Sequence, residues 1–306
     1  MEPKKVDTEI TAEALALRQR SISIAEFFEK NRHLLGFDNK RKALLTAVKE
    51  AVDNSLDACE EGRILPEITI SLTELSEERF QLVVEDNGPG IVKQQIPQVF
   101  ARLLYGSKFH KLSQSRGQQG LGISAAILYA QLTTGKPARI VSRISPKKPA
   151  HYYELRIDVQ KNLPEIIEER EVTWQKDHGT KIEMELEASY LKGLQSVDEY
   201  IKQTAIINPH ATIIYTTPKA ENIIYSRATE TLPPLPKEIK PHPYGVEIGL
   251  LMRMLSSTTS RTLQSFLMNE FSRVGTETAK EICSNAALLP SQKPTELNRE
   301  QVEKLI

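Results

Sequence analysis

Lys49-Glu50-Ala51-Val52-Asp53-Asn54-Ser55-Leu56-Asp57-Ala58, with Asp86-Asn87-Gly88-Pro89-Gly90 further along, is the stretch whose reading decides the fold. Glu50, Asn54 and Asp57 stand at i, i+4 and i+7, so on a helix the three polar groups share one face. Leu45, Val48, Val52 and Leu56 line the other face. They predict a core-packed helix from about Lys40 to Glu61, capped by Asp38. The polar face then offers an oxygen ligand for magnesium and a base for water, as a metal–nucleotide site needs. Taken alone, such a face is more often simply solvated.

Two further elements change that balance. Phe80, Leu82 and Val84 alternate along a predicted strand, and Asp86 keeps their parity at its end. Its carboxylate should emerge at the sheet rim on the core side, where it can accept from an exocyclic amine such as that of adenine. Gly88 and Gly90 flank Pro89 and allow a sharp turn and close approach to a flat ring. An ordinary hairpin is the plain alternative, but no clean second strand follows directly. The third element is Arg116-Gly117-Gln118-Gln119-Gly120-Leu121-Gly122-Ile123-Ser124, glycines leading into an apolar helix. Free N–H groups and the helix dipole would face the loop, which suits a triphosphate. Ser107 and Lys108 lie upstream in the same loop and could reach phosphate oxygens. No Gly-Lys-Ser/Thr ends the loop, so it is not a Walker loop.

In this order, Glu50-xxx-Asn54, Asp86-x-Gly88-x-Gly90 and Gly117-xx-Gly120-x-Gly122 resemble the three boxes of the GHKL ATPases, the superfamily of gyrase B, Hsp90, MutL and sensor histidine kinases. The resemblance covers about residues 40 to 186. It implies an α+β, two-layer Bergerat sandwich with a mixed sheet, ATP and Mg2+ as ligands, and a loop that closes as a lid. It makes Glu50 the general base, Asn54 the magnesium ligand and Asp86 the reader of the adenine amine. Gly88 and Gly90 border the ring. Ser107, Lys108, Gly117, Gln118, Gln119, Gly120, Leu121, Gly122, Ile123 and Ser124 hold phosphate. Thr180, after Gly179, supports the adenine pocket. No box claims Asp57, which is expected to have a supporting or surface role.

Gln118 to Ser124 with Thr133-Thr134-Gly135-Lys136-Pro137, the run from Glu26-Phe27-Phe28 to Gly36-Phe37, and the segment Lys49 to Ala58 resemble more narrowly the B subunits of type IIB DNA topoisomerases, the topoisomerase VI family. That likeness implies ATP-driven dimerisation of B subunits within an A2B2 heterotetramer, DNA cleavage by a separate A subunit, and passage of one duplex through another. It also implies an amino-terminal arm that crosses to the partner subunit, and a helix-two-turns-helix insert. The family's transducer domain, which supplies a lysine to the γ-phosphate, is expected to be absent before Ile306, with slow hydrolysis as the consequence. A MutL- or gyrase-like clamp, a histidine-kinase-type phosphotransferase, and a non-catalytic nucleotide-switched interaction module are the other readings. No phospho-acceptor helix supports the phosphotransferase.

The expected organisation is an arm over 1–20, an ATPase domain over 21–230, a proline-rich spacer over 231–243 and a helical domain over 244–306. Strands are expected at about 68–72, 80–85, 138–144, 152–159, 166–173, 180–186, 211–217 and 222–226. Helices beyond the spacer are expected at 246–255, 260–271 and 276–287, with Met252, Met254 and Leu255 in their core. Trp174 should pack under the sheet. Of 306 residues 40% are hydrophobic, enough for a substantial core. Lys plus Arg and Asp plus Glu number 40 each, so no overall charge points to nucleic acid. Residues 241–306 are equally balanced, which favours packing or a partner over direct DNA contact. Lys136, Arg139, Arg143, Lys147 and Lys148 form the one basic cluster, a solvated strand edge or else a DNA-facing patch. Cys59 and Cys283 read as reduced thiols, and the histidines show no ligand spacing. With no signal peptide or membrane span legible, a soluble cytoplasmic protein is expected.

Overall fold

The computed structural model describes residues 21–106, 116, 120–237 and 239–306. The expected arm over 1–20, and Ser107, Lys108, Gly117, Gln118 and Gln119, lie outside the described residues. The chain divides into two compact units, one ending at Leu235 and the other running from Pro236 to Ile306.

The larger unit is built on one eight-stranded sheet. Its strands are β1 Glu67–Ser76, β2 Arg79–Glu85, β3 Ala138–Arg143, β4 Ala150–Asp158, β5 Leu163–Val172, β6 Gly179–Glu187, β7 Thr212–Thr216 and β8 Asn222–Tyr225. The order across the sheet is β5-β4-β3-β6-β2-β1-β7-β8. Every neighbouring pair is antiparallel except β1 and β7, which makes the sheet mixed. In β2 the residues Phe80, Leu82 and Val84 are buried and their neighbours are not, the alternation of a sheet covered on one face.

Helices α1 Ile24–Lys30, α2 Lys40–Glu61, α3 Ile96–Phe100, α4 Gly122–Thr134 and α5 Val197–Ile207 complete this unit. In α2, Leu44, Val48, Val52 and Leu56 are essentially inaccessible. Each such side chain contributes roughly 1.5–3 kcal/mol relative to exposure. The helix spans the expected residues, but Asn39, not Asp38, is the cap, its side chain accepting from the Lys42 amide at 2.9 Å. Asp38 instead holds the Lys42 ammonium at 2.9 Å. Helix α4 is buried all round, from Ile123 to Tyr129 and Ala130, because α2 covers one side and β6 another.

The basic cluster reads differently in the fold. Strand β3 is flanked by β4 and β6, so it is no edge. Arg139 is paired with Glu154 and Glu183 at 3.1 and 2.9 Å. The Arg143 guanidinium donates to the carbonyls of Ser145, Pro146, Lys148, Trp174 and Lys176. Both arginines are thus already engaged within the unit. Trp174 is only half-buried in the β5–β6 connection rather than beneath the sheet.

The smaller unit holds α6 Ile248–Ser257, α7 Leu263–Glu270, α8 Thr276–Asn285 and α9 Arg299–Leu305. Its core is Leu251, Leu255, Leu263, Phe266, Leu267, Phe271, Cys283 and Val302. Met252 is exposed, contrary to expectation, while Met254 packs against this core. Helix α9 was not legible in advance because seven residues carry too little periodicity. Its Asn298–Gln301 capping box holds it. Among the described residues no helix is long and apolar enough to cross a membrane.

Candidate nucleotide site

Asp86 leaves the end of β2 with the parity of Phe80, Leu82 and Val84, and its side chain is only 6% exposed. Its Oδ1 accepts from the amides of Gly88 and Thr180 at 2.9 and 3.0 Å, and its Oδ2 accepts from the Ser55 hydroxyl at 3.0 Å. Burial pushes the carboxyl above its ordinary pKa, while these three donors pull it back. Ser55 was missed by sequence reasoning. The signal was a lone serine on the apolar side of a helix, which must find a partner or remain unsatisfied.

The glycine turn is shaped by close approach. Gly90 has φ +70°, and a β-carbon there would drive into the Arg143 carbonyl. Gly179, at φ +136°, lies against the Asp86 carbonyl in the same way. Asn87 does structural work: its Oδ1 accepts from the Glu67 amide at 2.8 Å and its Nδ2 donates to the Leu65 carbonyl at 3.0 Å. Ser142 ties the turn to the sheet, accepting from the Ile91 amide at 2.8 Å and donating to the Gly179 carbonyl at 3.0 Å. Cys59 lies beneath this turn, a buried free thiol pushed up to about 12 by burial and the nearby Asp86 charge.

Glu50 projects from α2 onto the amino end of α4. Its carboxylate lies against Gly122, whose Cα bears hydrogen where any side chain would collide with it. Burial, then the Asp53 carboxylate, raise the Glu50 pKa, and Lys49 opposes them. The open N–H groups of the α4 terminus favour the charged form in the same direction as Lys49. Asp53 itself accepts from the Tyr200 hydroxyl of α5 at 2.9 Å.

Glu50, Asn54, Ser55, Asp86, Gly90, Gly120, Leu121, Gly122, Ile123, Ser124 and Thr180 border a single cavity of about 1010 Å³. Gly88 lies at its Asp86 end, and Leu34, Leu35 and Phe37 add apolar wall that the motifs did not signal. A cavity of that size is ample for a nucleotide. Asp57 does not belong to it. It is buried and accepts from Arg116 Nη1 at 2.9 Å. Among the described residues no group of three or more His, Cys, Asp or Glu could cage a metal. The Asn54 amide oxygen at the cavity fits a cation carried in with phosphate, for which one such protein ligand is sufficient.

A carboxylate at the rim of a mixed sheet, a helix-borne glutamate and a glycine-led helix terminus around one cavity define an ATPase domain of the GHKL type. Residues 39–189 match the model of the histidine kinase-, DNA gyrase B- and HSP90-like ATPases, and the chain belongs to that superfamily. Over 296 residues it is 54% identical to the B subunit of type 2 DNA topoisomerase 6 from Methanococcoides burtonii, covering 96% of this chain and 48% of that protein. The protein of the same name from Methanosarcina mazei is 52% identical over 296 residues, with the same coverage. That of Archaeoglobus fulgidus is 51% identical over 290 residues, covering 94% of this chain and 48% of the relative. The chain thus spans about half the length of these curated relatives.

Proposed function

We propose that this chain binds ATP with Mg2+ and hydrolyses it as the ATPase part of a type IIB DNA topoisomerase. The observation that carries the reading is the single cavity joining buried Asp86 to the Glu50–Gly122 contact. Asp86 Oδ2, which receives Ser55, faces an adenine amine with a remaining lone pair. Gly88 and Gly90 keep the turn thin beside the ring. The amides of Gly120 to Ser124 face the phosphates, with Ser107, Lys108, Gly117, Gln118 and Gln119 contributing to the same loop. Glu50 takes the proton of the attacking water as oxygen bonds to the γ-phosphorus and the bond to ADP breaks, leaving inorganic phosphate. Asn54 would ligate Mg2+, which neutralises phosphate charge when bound.

In the whole protein, ATP would draw two B subunits together in the cytoplasm, with the arm over 1–20 crossing between them. Beside a DNA-cleaving A subunit in an A2B2 assembly, this would gate duplex passage. The names of the relatives support that setting. Phosphate release and sedimentation of this chain, with and without a non-hydrolysable ATP analogue, test the reading. Release of phosphate and analogue-dependent dimerisation are expected. A chain that stays monomeric with the analogue and releases no phosphate would remove it.

A further inference from the structure

We propose that Arg116 is a positioning residue for nucleotide phosphates, registering the amino end of α4 against the helix that carries Glu50 and Asn54. The inference rests on the ATP reading above. Arg116 Nη1 donates to Asp57 Oδ1 and to Glu60 Oε2, each at 2.9 Å. Nη2 donates to Glu60 Oε1 at 2.9 Å and to Asn208 Oδ1 at 2.7 Å. All four terminal guanidinium hydrogens are engaged, so this arginine is not a free cation waiting for phosphate.

Its acceptors are set in advance. Asp57 is buried on α2, and Glu60 shares Oε1 with His210 Nε2 at 2.8 Å. Asn208 is buried at the carboxyl end of α5 and turned by its own Nδ2, which donates to the Thr204 carbonyl at 2.8 Å. One guanidinium therefore ties residue 116 to α2 and to the end of α5. A Lys ammonium has neither the planar fork nor the reach to serve all three acceptors. Gly120 is four residues on, so it stays within about 14 Å of Arg116 whatever the path between them. Its carbonyl accepts from the Leu104 amide at 3.0 Å. The glycine-led terminus of α4 is thus referenced to the fold at 104 and at 116. By contrast the adenine end is held by Ser55, Asp86, Gly88 and Thr180, and none of them bonds Arg116.

The two halves of the nucleotide should therefore respond separately. Titration calorimetry of the wild type, Arg116→Lys and Arg116→Met with a non-hydrolysable ATP analogue and with adenosine makes the test. Arg116→Met should lose about tenfold or more in affinity for the analogue while adenosine affinity stays within about twofold, since a bidentate charged fork is gone. Arg116→Lys should recover only part of the loss. Equal loss of both ligands in a folded variant, or unchanged affinity for the analogue, would overturn the proposal. Should Arg116→Met not fold, Glu60→Gln and Asn208→Ala each remove one acceptor and must shift the analogue-to-adenosine ratio the same way; an unchanged ratio overturns it equally. A wild type that binds no ATP analogue would instead sink the ATP reading itself.

Discussion

The carboxylate of Glu50 and the α-carbon of Gly122 are packed directly together, so that the residue at 122 determines where the carboxylate of α2 can stand. Helix propensity gives glycine no advantage over alanine at position 122, the first residue of α4. The choice of glycine follows from the neighbour instead: any β-carbon would collide with Glu50.

Gly122→Ala therefore tests the contact. Overpacking of this kind costs about 1–3 kcal/mol, and the flexible glutamate is the group that gives way. ATP turnover should fall roughly tenfold or more while adenosine still binds. Steady-state hydrolysis with calorimetry separates the two, and unchanged turnover would show that the carboxylate need not sit where it does.

Glu50→Ala should still bind ATP and hydrolyse it at least about a hundredfold slower, the usual contribution of a positioned base. A pH signature accompanies it. Glu50 is raised above its ordinary 4.5, so kcat/KM in the wild type should decline on the acid side at a higher pH than an unperturbed glutamate would give. The stability sign is the reverse. A carboxyl raised by folding contributes stability below 4.5 and loses it as pH rises through its folded value. Glu50→Gln should therefore unfold at a higher temperature than wild type at about pH 8, with the difference closing near about pH 4. A variant less stable at the higher pH would count against the burial account.

Asp86→Asn keeps one acceptor for the Gly88 and Thr180 amides but turns an NH2 group toward Ser55 and the cavity. A donor then meets the adenine amine, itself a donor. Affinity for ATP should drop by roughly tenfold or more, as expected for one buried polar group left unpaired at about 1–3 kcal/mol. Equilibrium binding of ATP and its analogue measures this, and unchanged affinity would remove Asp86 from the adenine site.

Gly90→Ala should act through the fold. The left-handed backbone at φ +70° costs a residue with a β-carbon about 1–2 kcal/mol, before the collision with the Arg143 carbonyl is counted. Thermal unfolding should move down by several degrees, at roughly 2–4 °C per kcal/mol for a unit of this size. A melting temperature equal to wild type would mean that the turn tolerates rearrangement.

The helix carrying Glu50 and Asn54 was legible because its apolar residues repeat with the helical period along its whole length, and the strand before Asp86 because alternation carried through to the carboxylate. Local pattern failed where partners are distant. Asp57 looked like a residue without a task, yet it is buried beneath Arg116, a residue far along the chain. Ser55 gave no motif because its importance lies in reaching Asp86. The basic cluster looked like a strand edge because sequence does not say which strands flank β3 or which carboxylates and carbonyls Arg139 and Arg143 meet. Asp38 and Asn39 are both good caps, and only backbone geometry at 39, φ −145° and ψ 159°, selects between them.

By itself the sequence determined most of the elements, the main faces they bury and the three boxes. These follow from short-range periodicity, glycine's freedom and the chemistry of each side chain. Tertiary structure alone decided that Asp86, Glu50 and the start of α4 share one cavity, that Gly122 is there for Glu50, and that Arg116 is committed to α2 and α5. Those facts depend on the strand order β3-β6-β2-β1-β7 and on α2 lying across it. Such contacts join residues remote in sequence, whose encounter is settled by packing and loop closure over the whole unit rather than by any local preference.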